Sequence, residues 1–321
     1  GTVGSVRIID KALVQPEPVK PKKALIAILA AMLGAMGSVG LVLLKAAFNR
    51  GIESPEQLEE QGISVYASIP LSEHQQKVDR LEALKRRRKR KKDKDPIPLL
   101  SLSDPNDLAV EALRSLRTSL HFAMMEASNK VLMVSGPSPG VGKSFVSANL
   151  AAVLAQTGQK VVVVDADMRK GHMHRFFDNR NDAGLSDYLS GQVEKDVIIQ
   201  STQADSLSFI ARGQVPPNPS ELLMHDRFKT LMEFLSDHYD IVLVDTPPIL
   251  AVTDAAIVGQ LAGSSLIVTR FGLNSVKEVD ITLTRFAQNN VEIKGAILNC
   301  MERRASNEYG YYAYEYGKSS N

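Results

Sequence analysis

A glycine-rich segment at residues 136–144 has the residue types that bind phosphate groups. It follows a buried-strand pattern and precedes a helical pattern, which is the context that a phosphate-binding loop requires. Glycines let backbone N–H groups point toward phosphate oxygens, and the N-terminus of the following helix adds partial positive charge. Lys143 would neutralise the β- and γ-phosphates of a nucleotide, and the hydroxyl of Ser144 would ligate Mg²⁺.

The glycine spacing of this loop departs from the strict pattern G-x4-G-K-S. Counted back from Gly142, that pattern requires glycine where the chain has Pro137, and the glycine here is Gly136, one residue earlier. The strand before the loop, the helix after it and Gly142-Lys143-Ser144 still predict a nucleotide site. The residues predicted to bind the nucleotide are Gly136, Gly140, Val141, Gly142, Lys143, Ser144 and Phe145.

Three aspartates follow buried-strand patterns elsewhere in the chain. Asp165 and Asp167 end the run VVVVDAD, and Asp245 ends the run IVLVD. Ligands of open α/β sheets bind at the carboxyl ends of the strands, where carboxylates suit Mg²⁺ directly or through water. One such aspartate is often only a turn or a helix cap. Three of them beside a Gly-Lys-Ser sequence predict a magnesium site made by Ser144, Asp165, Asp167 and Asp245.

These residues need a sheet that brings its strand ends together. Strand patterns rich in Val, Ile and Leu alternate with helical patterns from residue 131 to residue 300, which indicates a parallel sheet covered by helices on both faces. We expect strands at 63–70, 131–136, 161–167, 207–213, 241–248, 265–271 and 293–300, and helices at about 105–127, 143–156, 220 onward, 253–261 and 275–289. The predicted fold class is α/β: a P-loop NTPase with a mostly parallel, doubly wound sheet.

An uncharged segment at residues 24–44 precedes this domain. Its length matches the ~20 residues that cross a bilayer, and small residues such as Gly34, Gly37 and Gly40 permit close helix packing. We therefore expect a transmembrane helix at 24–48 rather than a buried helix of a soluble domain. Because ATP is cytosolic, the following residues would face the cytosol, and residues 1–23 would form the extracytoplasmic end.

Charge and composition are informative only locally. The formal net charge is +2, which indicates no nucleic-acid partner, and the single cysteine, Cys300, excludes an intrachain disulfide. Nine of the ten residues at 85–94 are basic, within a juxtamembrane segment and basic linker that we place at 49–104. Such a run is either a solvated surface or, beside a membrane, a contact with anionic lipid worth ~1 kcal/mol per basic residue.

The combined motifs resemble those of bacterial tyrosine kinases (BY-kinases). GPSPGVGKS, VVVVDADMR and IVLVDTPP are similar to the Walker A, A′ and B motifs of that family. The related partition and Min ATPases carry a signature lysine early in the loop, where this chain has Pro137, Ser138 and Pro139. The whole chain resembles the C-terminal part of the polysaccharide co-polymerase members. That resemblance implies a kinase domain at 105–304 and a flexible, tyrosine-rich tail at 305–321, with further family segments upstream.

The resemblance assigns roles to two further sets of residues. The family's ring-forming motif E-x2-R-x2-R matches Glu111, Arg114 and Arg117, which by spacing alone could equally form a solvated helix face. The family's autophosphorylated tail matches Tyr309, Tyr311, Tyr312, Tyr314 and Tyr316. Some relatives have a gating tyrosine after the R-K-G that follows the A′ motif, where this chain has His172 and where Tyr188 is the next tyrosine.

The activity implied by the resemblance is phosphoryl transfer from MgATP to tail tyrosines of a neighbouring subunit. Lys143 would stabilise the moving phosphoryl group, and Asp165 or Asp167 would accept the phenol proton, a choice that the sequence leaves open. Two other interpretations stay open: a partition-type membrane ATPase switch without kinase activity, and a non-enzymatic structural co-polymerase.

The resemblance also implies a location and partners. It implies the bacterial inner membrane, a cytoplasmic kinase domain, ATP and Mg²⁺ as cofactors, and regulation of capsular or exopolysaccharide polymerisation and export. The implied partners are other copies of the chain in a ring, with an octamer as one candidate size, a cognate tyrosine phosphatase, the polysaccharide export and polymerase machinery, and membrane lipid.

Overall fold

The computed structural model describes residues 21–48, 51–78 and 96–302. The chain divides into two compact units, Gly1–Arg50 and Gly51–Asn321. The described part of the first unit is the helix α1 (Lys23–Phe48), which contains the uncharged segment. Among the described residues, it is the one helix that is long and apolar enough to cross a membrane, with a mean hydropathy of 2.3 over its most apolar window.

The second unit is built on a sheet that has eight strands within the described residues. They are β1 (Val65–Pro70), β2 (Val131–Ser135), β3 (Val161–Asp165), β4 (Ile199–Ser201), β5 (Leu207–Ile210), β6 (Ile241–Asp245), β7 (Ser264–Arg270) and β8 (Gly295–Met301). Their spatial order is β1-β8-β7-β2-β6-β3-β5-β4. All neighbouring pairs are parallel except β4 with β5, so the predicted mostly parallel sheet is confirmed.

Helices connect the strands and cover the sheet. In the described part of the second unit they include α2 (Glu56–Glu59), α3 (Leu100–Ser103), α4 (Leu108–Met125), α5 (Lys143–Ala155), α6 (His174–Phe177), α7 (Leu185–Leu189), α8 (Lys195–Ile198), α9 (Pro219–Met224), α10 (Asp226–His238), α11 (Asp254–Gly259) and α12 (Val276–Gln288). The helix expected at 105–127 begins at Leu108, because the carboxylate of Asp107 caps it by accepting a hydrogen bond from the backbone N–H of Ala109 (2.8 Å).

Alternating strand residues face two apolar layers, one on each side of the sheet. In β2, Leu132 and Val134 pack into one layer together with residues of α4 and α5. Val131 and Met133 pack into the other layer, with residues of α10, α11 and α12. Because helices cover both faces, the strands are continuous apolar runs, and polar side chains are found where the strands end.

The sheet extends into the segment that the sequence assigned to a juxtamembrane linker at 49–104. β1 pairs in parallel with β8, and the backbone N–H of Ile52 donates to the carbonyl of Asn274 (2.8 Å). Without β1, β8 would be an exposed edge strand with unpaired backbone groups. The described residues of this segment therefore belong to the same compact unit as the strands that follow residue 105. The antiparallel strand β4 was not expected, because three residues are too few for a recognisable strand pattern.

Replacement of Phe286 by alanine should destabilise the second unit by about 3–5 kcal/mol, the usual cost of emptying a phenylalanine site in a core. Phe286 on α12 is fully buried, whereas Phe122 on α4 is 66% exposed, so Phe122→Ala is a matched control. The measurement is chemical denaturation of a segment covering residues 51–321. Equal losses of unfolding free energy for the two variants would contradict the buried position of Phe286.

Candidate active site

The phosphate-binding loop connects the end of β2 to the start of α5. Gly140 and Gly142 have φ angles of 81° and 92°, a region that residues with a side chain rarely adopt. Gly136 lies so close to β7 that a Cβ there would stand 2.7 Å from the carbonyl oxygen of Val268. Glycine at these positions lets the loop turn over the edge of the sheet and present the free N–H groups of the α5 N-terminus.

The first residues of α5 contact the end of β6. The hydroxyl of Ser144 donates to Oδ2 of Asp245 (2.7 Å), and that of Ser147 donates to Oδ1 of the same carboxylate (3.2 Å). Lys143 at the start of α5 is 8% exposed. The ring of Phe145 packs against the apolar layer, so a contact of this residue with phosphate would use its backbone N–H. The structure therefore brings two of the predicted magnesium ligands, Ser144 and Asp245, into direct contact.

Asp165 and Asp245 lie side by side at the ends of β3 and β6. They are opposite each other in the parallel register, and their exposed fractions are 0% and 1%. Burial raises the pKa of both carboxyl groups, and neighbouring carboxylates, including Asp167, raise it further. At Asp245, the ammonium of Lys143 and the hydroxyls of the two serines oppose this increase in pKa but do not cancel it.

Backbone groups of the segment after β3 hold the carboxylate of Asp165. Its Oδ1 accepts a hydrogen bond from the N–H of Asp167 (3.3 Å), and its Oδ2 accepts one from the N–H of Met173 (3.1 Å). Gly171 lies against this carboxylate, where a Cβ would stand 2.6 Å from Oδ2. The segment therefore wraps closely around Asp165, and glycine at position 171 makes that possible.

The donor set of Ser144, Asp165, Asp167 and Asp245 fits Mg²⁺. Within the described residues, no three His, Cys, Asp or Glu side chains form a group that could hold a metal ion by themselves. Mg²⁺ does not need such a group, because it usually keeps several waters and takes one or two carboxylates together with substrate phosphates. All four side chains offer oxygen atoms as metal ligands. The two buried carboxylates repel each other, and a bound divalent cation would reduce that repulsion.

Three side chains that sequence reasoning missed hold the phosphate-binding loop from β7, β8 and the segment after β7. Asn299 Nδ2 donates to the carbonyl of Val141 (2.9 Å), and Arg270 Nη1 donates to that of Gly140 (2.9 Å). The buried amide of Asn274 donates to the hydroxyl of Ser138 (2.8 Å). Asn299 and Arg270 lie near the ends of strand patterns, the same signal that identified Asp165 and Asp245.

The ring-motif residues lie on α4, and the structure does not bring them into this site. Glu111, Arg114 and Arg117 are half-buried along one helix. Arg114 Nη1 pairs with Oε1 of Glu111 within that helix, and their side chains are 30% and 39% exposed. Their proposed contact with a neighbouring subunit stays a prediction.

Several predicted features lie outside the described residues. These are the tail tyrosines Tyr309, Tyr311, Tyr312, Tyr314 and Tyr316, the basic run at 85–94 and the residues before 21. His172 is exposed after the A′ motif, and its Nδ1 is 3.3 Å from the carbonyl of Lys170. Tyr188 is buried, with the guanidinium of Arg227 4.5 Å from the centre of its ring. Tyr188 is therefore enclosed in the core, unlike the exposed His172.

Two family profiles match the sequence. The profile described as an AAA domain matches residues 129–292, which include the phosphate-binding loop and all three aspartates. A profile of a G-rich domain found on tyrosine kinases matches residues 1–47, which include most of α1.

The curated proteins and solved structures with high sequence identity to this chain include tyrosine-protein kinases. The tyrosine-protein kinase wzc of Salmonella typhimurium is 54% identical over 321 residues, 99% of this chain and 44% of that protein. The tyrosine-protein kinase etk of Escherichia coli K12 is 54% identical over 310 residues, 96% of this chain and 43% of that protein. This chain therefore spans less than half the length of these curated relatives. The solved kinase domain of Escherichia coli ETK is 55% identical, with a TM-score of 0.73, and the match covers 81% of this chain and 99% of that domain.

The substitution Asp245→Asn should stabilise the protein at neutral pH in solutions free of nucleotide and Mg²⁺. Because burial raises the pKa of Asp245 in the folded state, this carboxyl favours folding fully below the ordinary pKa of ~3.9. That contribution is lost as the pH rises through the raised pKa. An asparagine has no charge to desolvate, and the hydroxyls of Ser144 and Ser147 can reorient to accept from its amide.

The measurement is the free energy of unfolding from pH 4 to pH 8. The advantage of Asp245→Asn over the parent chain should grow with pH, whereas the exposed Asp182→Asn control should show a flat difference. A difference for Asp245→Asn that shrinks as the pH rises would show that the buried carboxylate is net stabilising in its charged form.

Proposed function

This chain belongs to the bacterial tyrosine-protein kinase family that includes wzc and etk, and we propose that it transfers the γ-phosphoryl group of ATP to its own tail tyrosines in neighbouring subunits. The observation that carries this proposal is the pairing of Ser144 with Asp245 beside a buried Asp165 at the phosphate-binding loop. That geometry suits a site that holds a nucleotide and a cation together. The tyrosine-rich tail supplies an acceptor within the same chain.

The loop and α5 bind the phosphates. The free N–H groups at the start of α5 donate to phosphate oxygens, and the ammonium of Lys143 offsets the charge of the β- and γ-phosphates. The side chains of Ser144, Asp165, Asp167 and Asp245 would hold Mg²⁺. When bound, this ion supplies positive charge that stabilises the phosphates during transfer. Asn299 and Arg270 keep the loop in the required conformation before the nucleotide arrives.

The proton of the attacking tyrosine needs an acceptor, since an ordinary phenol has a pKa of about 10. Asp165 is fully buried, and both of its oxygens accept hydrogen bonds from backbone N–H groups. Asp167 is only half-buried, and the hydrogen bonds that it accepts from the N–H groups of Arg169 and Lys170 both use Oδ1. We therefore assign Asp167 as the acceptor of the phenol proton, because the oxygen of a substrate tyrosine can reach its carboxylate. Asp165 is assigned a role in binding the cation.

The two remaining sets of residues support transfer between subunits. The five tyrosines are interleaved with Gly, Ala and Glu in a tail without a core pattern, as expected of a segment that reaches a neighbour. The half-buried pair of Glu111 and Arg114, with Arg117 one turn further along α4, offers charged groups for a contact between subunits. A ring, with eight subunits as one candidate size, would place each tail near the next active site.

Two observations support the proposed membrane location: the apolar helix α1 and the need of a nucleotide-binding unit for ATP. A helix long enough to cross a bilayer precedes a nucleotide-binding unit, so we place α1 in the bacterial inner membrane and residues 51–321 in the cytoplasm. The basic run at 85–94 would contact anionic lipid. We further propose that the chain regulates capsular or exopolysaccharide polymerisation and export. Its partners in this role would be the polymerase machinery and a cognate tyrosine phosphatase.

The substitution Lys143→Met should lower tyrosine autophosphorylation by roughly 100-fold or more, the scale for removing one preorganised charge-stabilising group. Lys229→Met removes an exposed lysine of α10 and is the matched control. The measurement is the phosphotyrosine content of the full-length chain incubated with MgATP, compared with a variant whose five tail tyrosines are phenylalanine. We expect little signal from Lys143→Met and from the tail variant, and a normal signal from Lys229→Met.

Measurements of phosphate release and polysaccharide output on the same variants distinguish this function from the alternatives. Release of inorganic phosphate without phosphotyrosine would identify a partition-type ATPase. Polysaccharide output that is unchanged by Lys143→Met would support a structural role in which nucleotide chemistry is dispensable. A phosphotyrosine signal that persists in Lys143→Met would contradict the assignment of the active site.

Replacement of Arg114 and Arg117 together by alanine should reduce the assembly to smaller species and lower transfer between subunits. Light scattering measures the mass, and mixing a Lys143→Met chain with a tail-tyrosine variant measures transfer between subunits. Phosphorylation adds about −1.5 to −2 charge per tyrosine, so the phosphorylated chain should also have a lower mass than the dephosphorylated chain. Identical masses for all of these samples would exclude both the interface and the switch.

A further inference from the structure

An ion pair with a buried carboxylate joins the segment after β3 to the start of α11. Arg169 Nε donates to Oδ2 of Asp254 (3.0 Å), and Arg169 Nη2 donates to Oδ1 (3.2 Å). The side chain of Asp254 is fully buried, whereas that of Arg169 is 38% exposed. Two parallel hydrogen bonds from one guanidinium fix both direction and distance, which a single contact does not.

Ser220 adds a third chain segment to this pair. Its hydroxyl donates to Oδ1 of Asp254 (2.5 Å) and accepts from Nη2 of Arg169 (3.2 Å). Ser220 is the second residue of α9, directly after a proline-rich stretch whose role the sequence did not reveal. The three side chains therefore connect the segment after β3, the proline-rich stretch and the helix that follows the β6 end.

The position of Asp167 depends on the backbone next to this pair. Its Oδ1 accepts hydrogen bonds from the N–H groups of Arg169 (3.3 Å) and Lys170 (2.9 Å). Asp167 is half-buried, and both of these hydrogen bonds come from backbone N–H groups rather than from side chains. The backbone N–H of Asp167 donates to Oδ1 of Asp165 (3.3 Å), which places this residue directly beside the buried pair of carboxylates.

We propose that Arg169 is a positioning residue, and that Asp254 and Ser220 form the seat that holds it. With Arg169 seated, the turn at 167–170 keeps the Asp167 carboxylate beside Asp165 and Asp245. Without the seat, the turn would move on its exposed side, and Asp167 would leave the cation site. The proposal rests on the proposed function only in that it assigns Asp167 to the magnesium and phosphoryl-transfer site.

The matched variants are neighbours along the chain. Arg169→Ala removes the guanidinium. Arg169→Lys keeps the positive charge but cannot make the two parallel hydrogen bonds to Asp254. Asp254→Asn keeps one acceptor and removes the charge. Lys170→Ala is the control, because Lys170 is exposed and only its backbone contacts Asp167. All variants are made in the full-length chain in detergent, and a thermal unfolding curve checks that each is folded.

The first measurement is binding of a fluorescent ADP analogue as Mg²⁺ is varied, which does not depend on kinase activity. Residues that orient metal ligands typically change metal affinity or activity by about 10- to 100-fold. Arg169→Ala should therefore raise the Mg²⁺ concentration at half-saturation by about 10-fold or more, while binding without Mg²⁺ changes little. Arg169→Lys should show a smaller increase, and Lys170→Ala should match the parent chain.

The second measurement is a double-mutant cycle on the autophosphorylation rate. If Arg169 and Asp254 act as one unit, the double variant should be no slower than Arg169→Ala alone, because non-additivity marks groups that act together. The KM for ATP should stay within about 2-fold of the parent value, since the phosphate-binding loop is not altered.

Three outcomes would overturn the proposal. They are an unchanged Mg²⁺ requirement in Arg169→Ala, equal effects of Arg169→Ala and Lys170→Ala, and additive effects in the cycle. If Arg169→Ala does not fold, Arg169→Lys and Ser220→Ala make the same test, with an expected shift in Mg²⁺ requirement of a few-fold. If the parent chain binds Mg²⁺ and nucleotide but forms no phosphotyrosine, the kinase proposal fails, and the binding measurement still decides the role of Arg169.

Discussion

Two carboxylates buried next to each other at the edge of the sheet set the main constraint on this structure. Asp165 and Asp245 are opposite each other in register and are almost completely removed from solvent. A pair of buried like charges is unfavourable unless hydrogen-bond donors and cations surround it. The groups that surround it here are the ammonium of Lys143, serine hydroxyls of α5 and backbone N–H groups of the segment after β3. The repulsion that remains makes this edge a place where a divalent cation is attracted.

The strand order explains how the remaining parts surround this pair. β2, which leads into the phosphate-binding loop, lies between β7 and β6. The acidic strands β6 and β3 therefore lie on one side of the loop, and β7 and β8 lie on the other. From that second side, Arg270 and Asn299 donate to the loop carbonyls. The loop is thus held by hydrogen bonds from one side, and the buried carboxylates lie on the other.

Asp254 and Ser220, which form the seat of Arg169, support the part of the site that lies nearest to solvent. Asp165 is held by groups within its own segment, whereas Asp167 lies on a half-exposed turn that needs support from elsewhere. That support comes from the start of α11 and from α9, two elements that follow in sequence long after the turn. Arg169 is the arginine of the A′ motif. The family resemblance accounts for the presence of that motif, whereas the contacts of Arg169 in the structure indicate what this arginine does.

The sequence by itself determined the parts of the site that local patterns encode. Apolar runs ending in aspartate located Asp165 and Asp245 at the carboxyl ends of strands and Asp167 two residues beyond the end of β3. Gly-Lys-Ser after a strand located the loop. Both signals lie within a few residues of sequence. The parallel α/β class followed from the alternation of such runs with helices. The strand at 65–70 was recognised as a strand, but its place in the sheet was not.

Only the tertiary structure decided which of these segments are neighbours. Asn299 and Val141 are 158 positions apart, and Arg169 and Asp254 are 85 positions apart, so no local pattern links them. The pairing of β1 with β8 and the order of the strands are likewise set by packing between distant segments. Residue types and spacing report the conformation of a short stretch, whereas the choice of partners depends on the burial of whole faces when the chain becomes compact.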